Sequence, residues 1–439
     1  MTYLGSISRI TTIISHKNLN NPFVTGRTII TPWIWQLFVI NINKIKNIIL
    51  NESIESTEKT EKNTRPEVGQ IVKIKIDNIA FGGEGVGRVE DFVVFVPLVI
   101  EGEEVEAKII EVKKSFARGE LVKIIKPSKI RINAECEYFG DCGGCQYQHI
   151  SYDEQLKIKQ KQITDLFSRI GGFSQDKVSP VIACPQTFNY RNRILIRSQW
   201  NGKAKKLLVG FRKRNSHWVV EINDCKIAEP ALNKQIPEVR ENPPKRGGIK
   251  INLRVTPEDW SVPDHSFFQT NFFILPKMVD QVRKIFKSND SEYLIDTYCG
   301  VGFFAIELAN LTKQFVGVES DKLAIKAAQE NAIKFGATNG EFIDGRTEDL
   351  LPELLKKFSP NKTSVILDPP RKGCAPSAIE QLRKVKPSQI IYISCHPATL
   401  ARDLNILCSE GVYKLERVYP IDMFPHTQHI ECITDLRLN

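Results

Sequence analysis

No apolar run in this chain is long enough to cross a bilayer. The best candidate, Trp33 to Ile40, has eight residues with Gln36 among them, against the roughly 20 that a spanning helix needs. Residues 1–30 lack the basic, apolar, small-residue order of a secretion signal. A cytoplasmic protein with no membrane partner is therefore expected. Cysteine is scarce as well: ten in 439 residues, unevenly spaced, exclude a disulfide scaffold. No internal repeat is visible, which argues against a solenoid or propeller. What is present, 41% apolar and 26% charged residues, suits a globular chain of two or three domains.

Charge of one sign is concentrated in one place. The chain carries a net +10, while residues 186–254 alone hold 16 Lys/Arg against 5 Asp/Glu. This segment includes Arg191, Arg193, Arg197, Lys203, Lys205, Lys206 and Arg212-Lys213-Arg214, interleaved with Phe188, Tyr190, Trp200, Phe211 and Trp218. Basic side chains can follow phosphates while aromatic faces stack on bases, so an RNA or DNA partner is expected here rather than a merely solvated face.

Composition also divides the chain. Residues 1–65, rich in Ile and Asn and then in Glu, Ser, Thr and Lys, read as a poorly ordered extension and linker. Residues 66–126 alternate as short strands, for example Ile71-Val72-Lys73-Ile74-Lys75-Ile76 and Phe92-Val93-Val94-Phe95-Val96, and predict a small OB-like β-barrel. The run Gly82-Gly83-Glu84-Gly85-Val86-Gly87 is followed by strands, not a helix, so it is no dinucleotide fingerprint. Residues 127–265 form a mixed α+β segment, and 266–439 alternate strand and helix patterns as a doubly wound, Rossmann-like α/β domain does.

Two strand ends in the last segment carry chemistry. Ser364-Val365-Ile366-Leu367 runs into Asp368-Pro369-Pro370-Arg371, and Ile391-Tyr392-Ile393-Ser394 into Cys395-His396-Pro397. A carboxylate and a thiol delivered to one sheet edge suit covalent catalysis beside a cofactor. The cofactor turn is Asp296-Thr297-Tyr298-Cys299-Gly300-Val301-Gly302, with Glu319 ending the next strand, where a carboxylate can accept ribose hydroxyls. The last glycine of G-x-G-x-x-G is missing, since Ala305 takes its place, which weakens a nicotinamide reading; the Asp-x-x-x-Gly-x-Gly arrangement instead resembles the S-adenosylmethionine (SAM) pocket of Rossmann-like methyltransferases.

Asp-Pro-Pro-Arg at 368–371, then Ser-Cys-His-Pro-Ala-Thr-Leu-Ala-Arg-Asp at 394–403, together with Asp422-Met423-Phe424-Pro425-His426-Thr427-Gln428-His429-Ile430-Glu431, resemble the RNA uracil-5 methyltransferase family. The resemblance runs from about Glu67 to the C-terminus and includes the barrel, called TRAM in that family. It implies a class I SAM-dependent methyltransferase that contacts SAM through Gln269, Tyr298, Glu319 and Asp368. The chemistry asks for a thiolate at uracil C6 and a base for the C5 proton, and Cys395 and Glu431 supply them. His396 and Phe303 stand where many members have Asn.

Cys136, Cys142 and Cys145, with Cys225 as a fourth ligand, fit either zinc or a [4Fe-4S] cluster by spacing. The resemblance to barrel-bearing members implies [4Fe-4S] in a central cluster-binding, RNA-binding domain. It also implies action on 23S ribosomal RNA ahead of transfer RNA; a monomer is expected. The alternatives are a transfer-RNA uracil-5 methyltransferase and a non-catalytic RNA-binding protein with a degenerate methyltransferase fold.

Overall fold

The structure is a computed structural model that describes residues 65–242, 248 and 250–439. The extension expected over 1–65 lies, but for Arg65, outside the described residues. No helix among the described residues is long and apolar enough to cross a membrane.

The first unit is a closed barrel of β1 (Ile71–Ile79), β2 (Glu84–Val89), β3 (Phe92–Pro97), β4 (Glu104–Val112) and β5 (Phe116–Lys126), in the order β1-β2-β3-β5-β4. Alternation at every second residue of β1 turns Val72, Ile74 and Ile76 inward to meet Val94, Val96, Val105, Ala107 and Ile109. The glycine run lies partly in β2, where a Cβ on Gly87 would stand 2.3 Å from the Lys75 carbonyl oxygen. Those glycines let strands approach closely, which is why no cofactor turn is found there.

Helix α1 (Tyr152–Leu166) follows, tied to the barrel by Gln162, whose Nε2 donates to the carbonyls of Ile79 (3.1 Å) and Ala80 (2.8 Å). The middle of the chain is a four-stranded antiparallel sheet ordered β8-β7-β6-β9: β6 (Arg193–Asn201), β7 (Lys206–Arg212), β8 (Val219–Glu221) and β9 (Lys250–Arg254). Its inner face, Ile194, Ile196, Val209 and Leu253, is covered by Leu232 of α2 (Pro230–Asn233) and Ile236 of α3 (Gln235–Glu241). Apolar sheet–helix packing holds this region together, and among the described residues no group is arranged to hold a metal, which corrects the expectation of a cluster-binding domain.

The rest is a seven-stranded sheet ordered β12-β11-β10-β13-β14-β16-β15. Its elements alternate: α4 (Leu275–Lys287), β10 (Tyr293–Thr297), α5 (Phe303–Leu308), β11 (Gln314–Glu319), α6 (Lys322–Lys334), β12 (Gly340–Asp344) and α7 (Thr347–Lys357). Then come β13 (Thr363–Leu367), α8 (Pro376–Val385), β14 (Gln389–Ser394), α9 (Pro397–Cys408), β15 (Tyr413–Ile421) and β16 (Glu431–Leu438). Strands β10 to β14 are parallel, whereas β16 is antiparallel to both β14 and β15. β13 and β14 are buried along their whole length, as their unbroken apolar sequences require when helices cover both faces. Strand order reverses between β10 and β13, and ligands of such sheets bind beyond the carboxyl ends at that point.

Candidate active site

Beyond β10 the chain turns into α5 through three left-handed residues, Tyr298 (φ 59°), Gly300 (φ 54°) and Gly302 (φ 85°). Glycine takes this conformation without a Cβ penalty; Tyr298 adopts it with one, as residues at binding turns often do. Asp296 stabilises the turn from beneath, its Oδ2 accepting from the Ala305 amide at 2.9 Å. Its Oδ1 is buried without a partner, and burial raises its pKa well above the carboxylate range. Glu319, at the end of β11, reaches across: Oε2 accepts from the Gly300 amide (3.2 Å), and Oε1 from the amides of Ser320 (2.6 Å) and Asp321 (3.0 Å). The register Thr297↔Leu367 places Asp368 one step past β13, level with Tyr298.

The thiol and the last carboxylate come from the antiparallel pair. Ser394 of β14 lies opposite Cys432 of β16, so Cys395, leaving β14, and Glu431, opening β16, stand at the same sheet edge. Gln269, Tyr298, Glu319, Asp368, Cys395 and Glu431 all line one cleft of about 1570 Å³. Gln269 is fixed by Asn192, whose Nδ2 donates to its carbonyl at 3.0 Å.

Burial dominates the electrostatics. It pushes Glu431 up to about 8, with the Asp368 charge adding and Arg371 opposing. Asp368 rises to about 7 through burial and then Glu319. The Cys395 thiol is raised by burial and next by Glu431; Arg371 pulls it back by charge and hydrogen bond, while Asp368 pushes it up further. Asp296, Glu319 and Asp368 stand close together at the β10 end of the cleft, the Glu319 charge adding to the rise of the other two, and such a group of carboxylates fits the ammonium and sulfonium charges of SAM. Glu319, Asp368, Gln269 and the Tyr298–Gly300 turn would hold it; bound there it supplies an electrophilic methyl group.

The two departures from the family pattern have separate explanations. His396 is the N-cap of α9, its Nδ1 accepting from the Thr399 amide at 3.3 Å. The ring is therefore engaged in capping, and the cation facing the thiol is Arg371. Phe303 is buried among Trp260 (5.2 Å between ring centroids), Phe268 (5.5 Å) and Phe304, so its ring joins an aromatic core.

Sequence reasoning missed what holds the Glu431 segment. Lys159 of α1 is wholly buried; its Nζ reaches Asp422 Oδ1 (2.6 Å) and donates to the carbonyls of Phe424 and His429 (both 3.1 Å). Phe424 and His429 form a wall of the cleft, with the Arg191 guanidinium 5.8 Å from the Phe424 ring. Burial, with Arg371, Arg191, Lys159 and His396 around it, lowers His429 to about 4, so it is neutral at pH 7. A lysine in a polar helical pattern gave no sequence signal of a partner 263 positions away.

The cysteine expectation is corrected. Cys136, Cys142, Cys145 and Cys225 line one pocket, yet among the described residues no group of three or more His, Cys, Asp or Glu is arranged to hold a metal ion. A [4Fe-4S] cofactor is therefore not supported. Burial pushes Cys145 up to about 12 and Cys225 up to about 11, which keeps both as thiols. The loop is closed by hydrogen bonds instead: Arg214 donates through Nε to the Gly140 carbonyl (3.2 Å) and through Nη2 to that of Cys145 (2.8 Å), and the Gly143 amide donates to Arg212 (3.0 Å). Cysteine spacing reported a tightly wrapped loop, and a wrapped loop can be tied by an arginine as well as by a metal.

A sequence profile of the tRNA (Uracil-5-)-methyltransferase family matches residues 245–437, and one of the TRAM domain matches 65–122. Among curated relatives, an uncharacterized RNA methyltransferase of Synechocystis is 30% identical over 84% of this chain and 96% of its own length. Another, of Clostridium acetobutylicum, is 32% identical over 82% and 95%. Among solved structures, a Pyrococcus abyssi tRNA (uracil-54, C5)-methyltransferase in complex with S-adenosyl-L-homocysteine superposes with a TM-score of 0.63. It is 24% identical and covers 83% of this chain and all of that one, a likeness of fold.

Proposed function

Because the chain belongs to the family of SAM-dependent RNA (uracil-5)-methyltransferases, we propose that it methylates uridine C5 through a covalent adduct, with transfer RNA as the substrate class. The observation that carries the covalent route is the β14–β16 register, which brings Cys395 and Glu431 to one edge of the cleft. Uracil C5 is a poor nucleophile. Addition of the Cys395 thiolate to C6 pushes electron density onto C5, which then takes the methyl group. Glu431 accepts the C5 proton, and the thiolate leaves as the C5–C6 double bond re-forms. Arg371 favours the thiolate against two carboxylates, Glu431 and Asp368, that oppose it. A Glu431 pKa of about 8 makes it a stronger base than an ordinary carboxylate and still partly ionised near neutrality.

Transfer RNA replaces 23S ribosomal RNA as the favoured substrate because the ribosomal reading leaned on the cysteine cluster, which is unsupported. The matching profile and the Pyrococcus abyssi structure both carry transfer-RNA names. An RNA substrate supports a cytoplasmic place of action. The test is to incubate the protein with SAM and either unmodified transfer RNA or 23S fragments, then digest and measure 5-methyluridine by mass spectrometry. Product in transfer RNA is expected. Product only in 23S fragments overturns the substrate assignment, and none in either, with SAM bound, overturns the reaction.

The RNA path supported best is the outer face of the central sheet. Arg193 lies directly opposite Arg254, and Arg197 opposite Lys250. Like charges so placed repel; among the described residues no carboxylate is within ion-pair distance of any of the four, and Arg254 is turned aside, donating to the carbonyls of Ser266 (2.8 Å) and Pro263 (3.3 Å). A face that keeps such pairs suits a phosphate backbone. Arg191, which lines both the cleft and the pocket beside this sheet, joins the two. Of the Arg212-Lys213-Arg214 run, Arg214 is taken up in tying the cysteine loop, while Arg212, which donates to the Ser216 carbonyl (2.8 Å), and Lys213, which pairs with Asp141 (3.2 Å), stay exposed. Arg193→Gln with Arg197→Gln is expected to weaken RNA binding about tenfold and lower the slope of log affinity against log salt by roughly 2. Titration at several salt concentrations checks this, and an unchanged slope returns the face to ordinary surface.

A further inference from the structure

The loop that presents Arg371 has no helix or strand of its own, yet three of its backbone polar groups are caught from one side, by α9. Within the loop, the Gly373 amide closes a turn on the Pro370 carbonyl at 2.8 Å. From α9, Thr399 Oγ1 donates to the Arg371 carbonyl (3.1 Å), and Arg402 Nη2 to that of Lys372 (3.0 Å). The hub is Asp403, only 2% exposed. Its Oδ2 accepts from the Cys374 amide (3.0 Å) and the Tyr392 hydroxyl (2.7 Å), and its Oδ1 from Arg402 Nε (2.9 Å) and Nη2 (2.6 Å). The loop is shaped to admit this carboxylate: Gly373 has φ +83°, and a Cβ there would come within 2.5 Å of Asp403 Oδ2.

These contacts join three elements that matter to the thiol. Tyr392 belongs to β14, three residues before Cys395; Cys374 and Arg371 belong to the loop after Asp368; Asp403 belongs to the helix that Cys395 leads into. One buried carboxylate therefore fixes the Arg371 loop relative to the strand carrying the thiol. The charged groups facing Cys395 are Glu431 from β16, Asp368 beyond β13, and Arg371 from this loop. Arg371 alone of the three is cationic, and it acts on the thiol through charge and hydrogen bond, both of which fall away within a few ångströms. None of the Asp403 hydrogen bonds reaches Cys395, Glu431 or Asp368, so its effect on the thiol passes through that placement.

We propose that Asp403 is a positioning residue for the methyl transfer: it clamps the 369–374 loop to β14 and so holds the Arg371 guanidinium against the Cys395 thiol. The inference takes Cys395 as the nucleophile from the reading above, but it concerns the thiol's reactivity and can be tested without RNA.

The experiment is alkylation of the full-length protein by iodoacetamide from pH 6 to about pH 11, with the Cys395 peptide followed by mass spectrometry apart from the other cysteines. In Asp403→Asn the midpoint of the rate–pH profile is expected to rise by about 1 pH unit, which is about tenfold less alkylation near neutrality. Arg371→Gln is expected to give the same rise, and the double variant no more than either. A wild-type midpoint in Asp403→Asn overturns the proposal, as does a double variant whose shift is the sum of the two. If Asp403→Asn loses its near-ultraviolet dichroism, Tyr392→Phe removes one donor from the hub and leaves the carboxylate in place. A smaller upward shift is expected there, and an unchanged midpoint overturns the proposal. A shifted profile in a protein that makes no 5-methyluridine leaves the clamp standing and removes the uracil reading alone.

Discussion

Cys395→Ala is expected to abolish methyl transfer, with a loss on the order of 10⁴-fold or more, because it removes the nucleophile and not a contact that helps it. The same variant is expected to retain SAM binding, since Glu319, Gln269 and the Tyr298–Gly300 turn are untouched. The decisive form of the measurement uses RNA carrying 5-fluorouridine. Fluorine at C5 cannot leave as a proton, so wild-type protein with SAM is expected to stall as a protein–RNA adduct that survives denaturing electrophoresis, and Cys395→Ala to give none. Full activity in Cys395→Ala would mean that the thiol is a small core residue beside a different chemistry, such as methylation of an exocyclic amine.

Glu431→Gln is expected to separate the two halves of the reaction. Addition and methyl transfer need only Cys395 and the donor; release needs the C5 proton removed. The variant should therefore accumulate a methylated covalent adduct on ordinary RNA, with turnover reduced about 10²- to 10⁴-fold. The pH dependence has a definite sign. Glu431 is raised to about 8 and the Cys395 thiol is raised too, and both must lose a proton to act, so wild-type kcat/KM rises with pH from 6 toward 9. Stability moves the other way. A carboxyl raised from an ordinary 4.5 to about 8 contributes stability that is fully present below about 4.5 and is lost as pH rises through 8. Glutamine stays neutral throughout, so Glu431→Gln without ligands is expected to gain in melting temperature on wild type between pH 5 and 9. A turnover defect without accumulated adduct, or a pH profile flat through 8, assigns the base elsewhere.

Much of the site was legible because its residues sit at strand ends, where pattern and chemistry coincide. Asp368 and Cys395 each end an unbroken apolar run, and such runs in a βα alternation predict parallel central strands whose carboxyl ends carry function. Glu319 was readable for the same reason. The cysteine cluster shows the limit of this reasoning. Spacing in sequence fixes how tightly a backbone can wrap, but a metal site needs donors converging in space, and a loop closed by Arg214 satisfies the same spacing. The basic run at Arg212-Lys213-Arg214 shows a related limit: composition counts charges without saying that Arg214 is turned onto the cysteine loop while Arg212 and Lys213 stay exposed.

The sequence alone determined the chemistry available to this chain: a thiol and carboxylates at the ends of buried strands, a glycine turn for a cofactor, and a barrel written in alternating residues. Those features are local, set by periodicity and by what each residue type can do. Tertiary structure decided which groups act on which. It set Glu431 beside Cys395 through an antiparallel register, buried Lys159 against Asp422, turned His396 into a helix cap, and left Arg371 as the cation facing the thiol. Those pairings join residues far apart along the chain, and their strength depends on burial and on distances of a few ångströms, quantities that exist only once the chain has folded.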